Sequence, residues 1–320
     1  MKKNYTLNQP SIVFFMLVTN RDVYIADYSI RSYRKLKPAL ENYNWKLVIY
    51  LNCIKKEFKN KYSKKWNDYD YTEIIDNSEF IDAEKLIPGQ EVIDDYGNKS
   101  YLEGKFERGC AVWEREFRKF ESDYWATVDA DFEIISPDFI LEGLKQLEQN
   151  KNLAVFSSDS GSTDYKYDSY SDGYIIAMKR HNTWFCIYKR ECQICMTSHF
   201  YYEEEINGER YSYDDAAKFQ FDLEEKYGYG LLAATELNNV FRYSFIHYGA
   251  FSKNDSLDGP IKIYIYRCII FLSRRGLIFL SPTCIINKCF QFLGKALKII
   301  FYYKINKERR KYHYVSKLDK

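Results

Sequence analysis

The stretch YWATVDADFEII, residues 124 to 135, carries an apolar, strand-like run into two aspartates, Asp129 and Asp131, with one alanine between them. Aspartate is depleted within strands and common in the turns that follow them. The pair has two readings: a strand ending where the chain meets water, or two carboxylates set at the lip of a sheet to hold a cation and its ligand. The neighbouring segments decide between them.

Upstream, SIVFFMLV (11–18) is a continuous apolar run, the pattern of a strand buried on both faces as in parallel sheets. TNRD interrupts it, and VYIADYSIRSYRKLK (23–37) places apolar residues at helical spacing, which predicts a helix stopped by Pro38. WKLVIYLN (45–52) predicts a second strand, a lysine-rich helix runs to about Lys65, and YTEII (71–75) predicts a third strand. With right-handed crossovers, this β-α-β-α-β succession gives a doubly wound, mostly parallel α/β sheet with flanking helices.

Residues 76–104, which include PGQ and DDYGN, read as a long irregular loop. FERGCAVWEREFRKF (106–120) then reads as a helix with Cys110, Val112, Trp113, Phe117 and Phe120 on its buried stripe, leading directly into YWATVDADFEII. Asp129 and Asp131 are therefore expected at the carboxyl end of a central strand, where open α/β sheets bind their ligands. Further on, the pattern predicts a helix over 136–150, a strand over 153–158, a polar loop over 159–173 and a strand over 174–180. NTWFCIYKREC (182–192) follows as a helix capped by Asn182.

This order of elements, with an Asp-x-Asp pair closing a central strand, resembles the GT-A family of nucleotide-sugar-dependent glycosyltransferases. The resemblance covers roughly residues 11 to 254 and is strongest at 106–135 and 211–254. It implies that Asp129 and Asp131 hold Mn2+ or Mg2+ against the diphosphate of a sugar nucleotide, a UDP-sugar foremost. The chemistry suits the residues: a hard divalent cation prefers oxygen ligands and needs few protein groups when phosphates and waters complete its shell. Such a cation also neutralises charge gathering on a leaving diphosphate.

The same resemblance assigns further residues. In YSYDDAAKFQFDLEEKYGY (211–229), Asp214 and Asp215 precede a helix, and it implies that one of them, Asp215 ahead of Asp214, is the general base of an inverting transfer. Helix capping is the alternative account of that pair. In FRYSFIHYGAFSKN (241–254), it implies that His247 completes the metal shell and that Lys253 meets the diphosphate, with a purely structural histidine as the alternative. Thr19 and Arg21 in TNRD lie where family members contact the nucleotide. The segment 159–173 and Trp184 lie where sugar contacts occur, a core position being the alternative for Trp184. The second strand ends in LNC rather than the acidic pair of the commonest bacterial members, which leaves the nucleotide open.

Charge is unevenly spread. Residues 261–320 carry 14 Lys and Arg against two acids, Glu308 and Asp319, a net of +12, whereas the first 260 residues carry −10. In this tail apolar clusters alternate with single cations, and its longest uncharged run, Gly276–Asn287, has 12 residues, short of the roughly 20 that span a bilayer. The expected organisation is a catalytic domain over 1–258 and a basic amphipathic region over 259–320 that lies on an anionic membrane surface. Nucleic-acid binding is the disfavoured rival, and packing of the tail on the oppositely charged domain stays open.

The eight cysteines show one CxxC, CQIC at 192–195, and neither a disulfide framework nor a zinc ligand set, which suits a reduced cytosolic chain. The apolar stretch near the N-terminus reads as the first strand rather than a secretory leader. Taken together, these expectations describe a cytoplasmic enzyme, peripheral on the inner face of the cytoplasmic membrane. It would move a sugar from a nucleotide-sugar donor to a glycan or lipid-linked saccharide acceptor in surface polysaccharide or lipooligosaccharide synthesis. A catalytically silent sugar- or nucleotide-binding module of the same fold, and a metal-dependent phosphohydrolase, are the alternatives.

Overall fold

The computed structural model describes residues 9–19, 22–52, 54, 56–77, 91–93, 99–103, 106–107, 109–160, 165–168, 174–177, 181–193, 202–213 and 216–247. All of them fall in the first of two units into which the chain separates, Met1–Ser256; the second, Leu257–Lys320, lies outside the described residues, as does the basic tail.

Three parallel strands, β1 (Ser11–Val18), β2 (Asn44–Leu51) and β3 (Thr72–Asp76), form one wing of a central sheet, and β4 (Tyr124–Asp129) pairs parallel with β1 on its other side. After β4 the chain turns into β5 (Phe132–Ile134), which leaves the sheet. The second wing is built from β6 (Leu153–Ser157), β7 (Phe185–Lys189) and β8 (Gly230–Ala233), giving the order β8-β6-β7-β4-β1-β2-β3. Only β7 is reversed, antiparallel to both β4 and β6.

The apolar runs are continuous because both faces are covered. Phe14 and Met16 of β1 join Leu47, Ile49, Ala126 and Val128 in one core cluster, while Val13 and Phe15 join Val48, Tyr50 and Trp125 in the other. Helices α1 (Val23–Ser32), α2 (Lys56–Asn67) and α4 (Asp138–Gln149) supply the first cluster through Val23, Ile30, Trp66, Phe139 and Leu144. Helices α3 (Gly109–Lys119) and α5 (Ala217–Glu225) supply the second through Trp113, Phe117, Phe219 and Leu223. Each large side chain so buried stabilises the fold by about 1.5–3 kcal/mol, and alternation with polar residues would forfeit that on one face. The architecture is the doubly wound, mostly parallel α/β sheet with flanking helices that the sequence predicts.

Four local expectations are corrected. The segment 182–192, read as a helix, is the strand β7: Phe185 and Ile187 enter one core cluster, Cys186 and Tyr188 the other. A period of two, carried by aromatic and β-branched residues, overrides the helical reading. Pro38 does not end the first helical segment, which continues as a 3-10 turn, Tyr33–Lys35, and a short helix, Leu36–Ala39, with Pro38 inside it. In a first helical turn proline removes only a donor that would be unpaired anyway. Within 76–104, read as irregular, short strands occur at Glu91–Ile93 and Lys99–Glu103, and Tyr165–Asp168 is a strand inside the expected polar loop.

Outside the central sheet, β5 pairs antiparallel with β9 (Phe245–His247), setting Phe245 against Ile134 and His247 against Phe132. Phe132, fully buried, stacks on Phe185 and on Phe245 at centroid distances of 5.2 and 5.1 Å, fastening this two-stranded ribbon to the sheet. A strand distant in sequence thus arrives at the carboxyl end of β4.

Candidate metal centre

Asp129 closes β4, and Leu17 of β1 lies in register with it. The carboxyl ends of the neighbouring strands share this edge: the Asn52 amide donates to the Val18 carbonyl at 2.9 Å and the Asn77 amide to the Leu51 carbonyl at 3.1 Å. Ala130 and Asp131 form the turn that joins β4 to β5, so both carboxylates stand at this edge, one closing the strand and the other in the turn beyond it. His247 Nε2 lies 3.4 Å from Asp129 Oδ2 and 3.3 Å from Asp131 Oδ1. The three ligand atoms fall within 4.8 Å of one another.

Electrostatics follows from this placement. Burial would lower the basicity of the His247 ring, but the charge of Asp131 and the hydrogen bonds and charge of both aspartates reverse that, and its pKa stands at about 9. In the metal-free chain the imidazole is therefore held as a cation beside the two carboxylates; a divalent ion bound there would supply that positive charge in its place. The ring is also covered on a face, for Trp184 lies against it with centroids 4.0 Å apart and planes 21° from parallel.

A third carboxylate, not singled out in the sequence, belongs to this edge. Asp22 is buried, and its Oδ2 accepts from the Thr19 hydroxyl at 2.6 Å and the Thr19 amide at 3.2 Å, while its own amide donates to the Thr19 carbonyl. Burial is the chief cause raising its pKa to about 6; the Thr19 hydroxyl opposes it, and the charges of Asp131 and then Asp129 add to it. The Thr-x-x-Asp spacing before a helix is the available signal, a hydroxyl and an acid three residues apart closing a turn on each other. Thr19 is thus placed at the expected edge with its hydroxyl engaged by Asp22. Arg21, Lys253, Asp214 and Asp215 lie outside the described residues; α5 begins at Ala217, just after the acidic pair.

No family model and no curated protein matches the chain. Among solved structures, the mannosyltransferase PcManGT from Pyrobaculum calidifontis, in complex with GDP-Man and Mn2+, aligns with 93% of this chain and 83% of its own, at 9% identity and a TM-score of 0.44. Glucosyl-3-phosphoglycerate synthase from Mycobacterium tuberculosis, in complex with Mn2+, UDP and glucosyl-3-phosphoglycerate, aligns with 84% of this chain and 81% of its own, at 11% identity and a TM-score of 0.41. The bifunctional glycosyltransferase WbbM aligns with 81% of this chain and 52% of its own, at 10% identity and a TM-score of 0.43. These are likenesses of chain path, and the chemistry open to the site is set by its own side chains.

The donor set fits a divalent cation. Two carboxylate oxygens and one imidazole nitrogen suit Mn2+ and ions of similar hardness. Neighbouring ligands on a six-coordinate ion with bonds of about 2.1 Å stand roughly 3 Å apart, close to the 3.3 and 3.4 Å found here. Three such protein ligands would leave positions on a six-coordinate ion for water or other oxygen ligands.

Proposed function

We propose that this chain is a metal-dependent glycosyltransferase using a nucleotide-sugar donor, with Asp129, Asp131 and His247 as the ligands of Mn2+ or Mg2+. The observation that carries the reading is the convergence of those three side chains, from two strands far apart in sequence, at the carboxyl edge of a doubly wound sheet. That edge is where such sheets bind ligands. When bound, the ion supplies a positive charge against the diphosphate that leaves the sugar. Thr19 and Arg21 are the proposed nucleotide contacts, Lys253 a further partner of the phosphates, and Asp215, or Asp214 beside it, the base that takes the acceptor hydroxyl's proton in an inverting transfer. Solved proteins of similar chain path include ones in complex with Mn2+ and GDP-Man or UDP.

A thermal-shift panel of nucleotide sugars with and without Mn2+ tests it on the whole chain. Ligand at a hundredfold its dissociation constant stabilises by about 2.7 kcal/mol, which for a domain of this size corresponds to a rise of roughly 5–10 °C. One donor is expected to give that rise only with Mn2+ present, and to be consumed when a saccharide acceptor is added. Binding without turnover would mark a silent module, phosphate release without acceptor a phosphohydrolase, and no Mn2+-dependent shift with any donor would refute the reading.

We further propose that residues 259–320 bind an anionic membrane surface beside a glycan or lipid-linked acceptor, on the inner face of the cytoplasmic membrane, in surface-glycan synthesis. The net charge of 261–320 supports this, and among the described residues no helix is long and apolar enough to cross a membrane. A chain ending at Asp258 is expected to stop pelleting with phosphatidylglycerol-containing vesicles while keeping its Mn2+-dependent thermal shift. Equal pelleting of the two forms would remove the tail from this role.

A further inference from the structure

Among the described residues, β5 and β9 pair with each other and with no strand of the central sheet. Asp129 is therefore placed by the sheet, whereas His247 is placed by the ribbon, and the two meet only if ribbon and sheet keep a fixed relation. Trp184 touches both. Its carbonyl accepts the Asp129 amide at 2.9 Å, extending the β4–β7 pairing by one residue. The preceding residue is fixed as well, the buried Thr127 hydroxyl donating to the Thr183 carbonyl at 2.8 Å. From that anchored backbone the indole reaches across the gap and lies flat on the His247 imidazole. Trp184 also packs on the core cluster that holds Phe132 and Phe245, the aromatic contacts fastening the ribbon.

We propose that Trp184 is a positioning residue of the metal centre, a clamp that holds one ligand strand through its backbone and the other ligand through its ring. The inference rests on the reading of Asp129, Asp131 and His247 as metal ligands. With a face of the imidazole covered, rotation of the ring about its own bonds is blocked, and the edge bearing Nε2 stays turned toward the two carboxylates. Groups that orient a metal-bound histidine commonly change metal affinity by about 10–100-fold when removed. A flat ring is what the contact requires: phenylalanine preserves a stack, leucine does not. The indole face that lies on His247 is not open to a sugar ring.

The test uses the full-length protein, Mn2+ alone as the probe, and two readouts: free Mn2+ by electron paramagnetic resonance, and tryptophan emission. Wild type is expected to bind Mn2+ and to lose emission as it binds, because the paramagnetic ion sits beside one of the chain's five tryptophans. Trp184→Phe is expected to bind Mn2+ within about twofold of wild type yet lose most of that quenching. Trp184→Leu is expected to bind roughly tenfold more weakly. Wild-type affinity in Trp184→Leu, an equal loss in both variants, or full quenching in Trp184→Phe would each overturn the clamp. Should the leucine variant fail to fold, the phenylalanine variant still decides, since it keeps a ring in place and must separate quenching from affinity. A wild type that binds no Mn2+ would refute the metal centre itself before any variant is compared.

Discussion

Asp131→Asn is expected to lower Mn2+-dependent sugar transfer by on the order of a thousandfold or more while leaving the metal-free protein within about 1 kcal/mol of wild-type stability. The substitution keeps shape and volume, so no cavity opens around a residue that is 8% exposed. Two electrostatic changes then oppose each other. Loss of the attraction between Asp131 and His247 destabilises, and relief of the repulsion that Asp131 exerts on buried Asp22 stabilises. With metal present nothing compensates: one of the three proposed ligands becomes a neutral amide, and the stabilisation of about 2.7 kcal/mol expected for wild type with Mn2+ at a hundredfold its dissociation constant should disappear. Thermal melts with EDTA and with Mn2+, paired with a donor-consumption assay, separate these effects. Undiminished turnover would remove Asp131 from the metal shell, and a metal-free melting point many degrees lower would assign it to the fold instead.

The contrast between what can and cannot be read from the sequence has a physical origin. β1, β2 and β4 are continuous apolar runs because helices cover both faces of the sheet, and that pattern is local and strong. The position of Asp129 and Asp131 at a strand's end follows from it. β7 is harder to read, since its four buried residues, FCIY, alternate between two apolar clusters and both of their faces are covered. No polar residue falls among those four, so helix and strand look alike over so short a span. The pairing of His247 with Phe132 leaves no local trace at all, because it joins segments distant in the chain. His247 can be nominated only from its polar surroundings and a family resemblance; its distances to the two aspartates are tertiary facts. Asp22 stands beside two nominated residues, yet its effect is electrostatic and gives no comparable signal. A buried acid facing two others shows no pattern in sequence beyond its turn with Thr19.

Phe132→Ala carries the other large expectation, since it probes the join between fold and site. Phe132 is fully buried among Phe139, Phe185 and Phe245, with ring centroids 6.3, 5.2 and 5.1 Å away. Truncation of such a ring costs about 3–5 kcal/mol through lost transfer free energy and the cavity left behind. Phe156, in β6, is equally buried in the same core cluster but lies outside the ribbon, so Phe156→Ala should cost a similar amount. The two variants are expected to part at the metal. Phe132 sits opposite His247 across the β5–β9 pair and follows Asp131 directly, so its loss loosens the ribbon that carries one proposed ligand and adjoins another. Mn2+ affinity, measured at a temperature where both variants remain folded, should fall about tenfold or more for Phe132→Ala and stay near wild type for Phe156→Ala. Equal affinities would mean that the aromatic cluster supports the core alone and that β9 holds His247 in place without it.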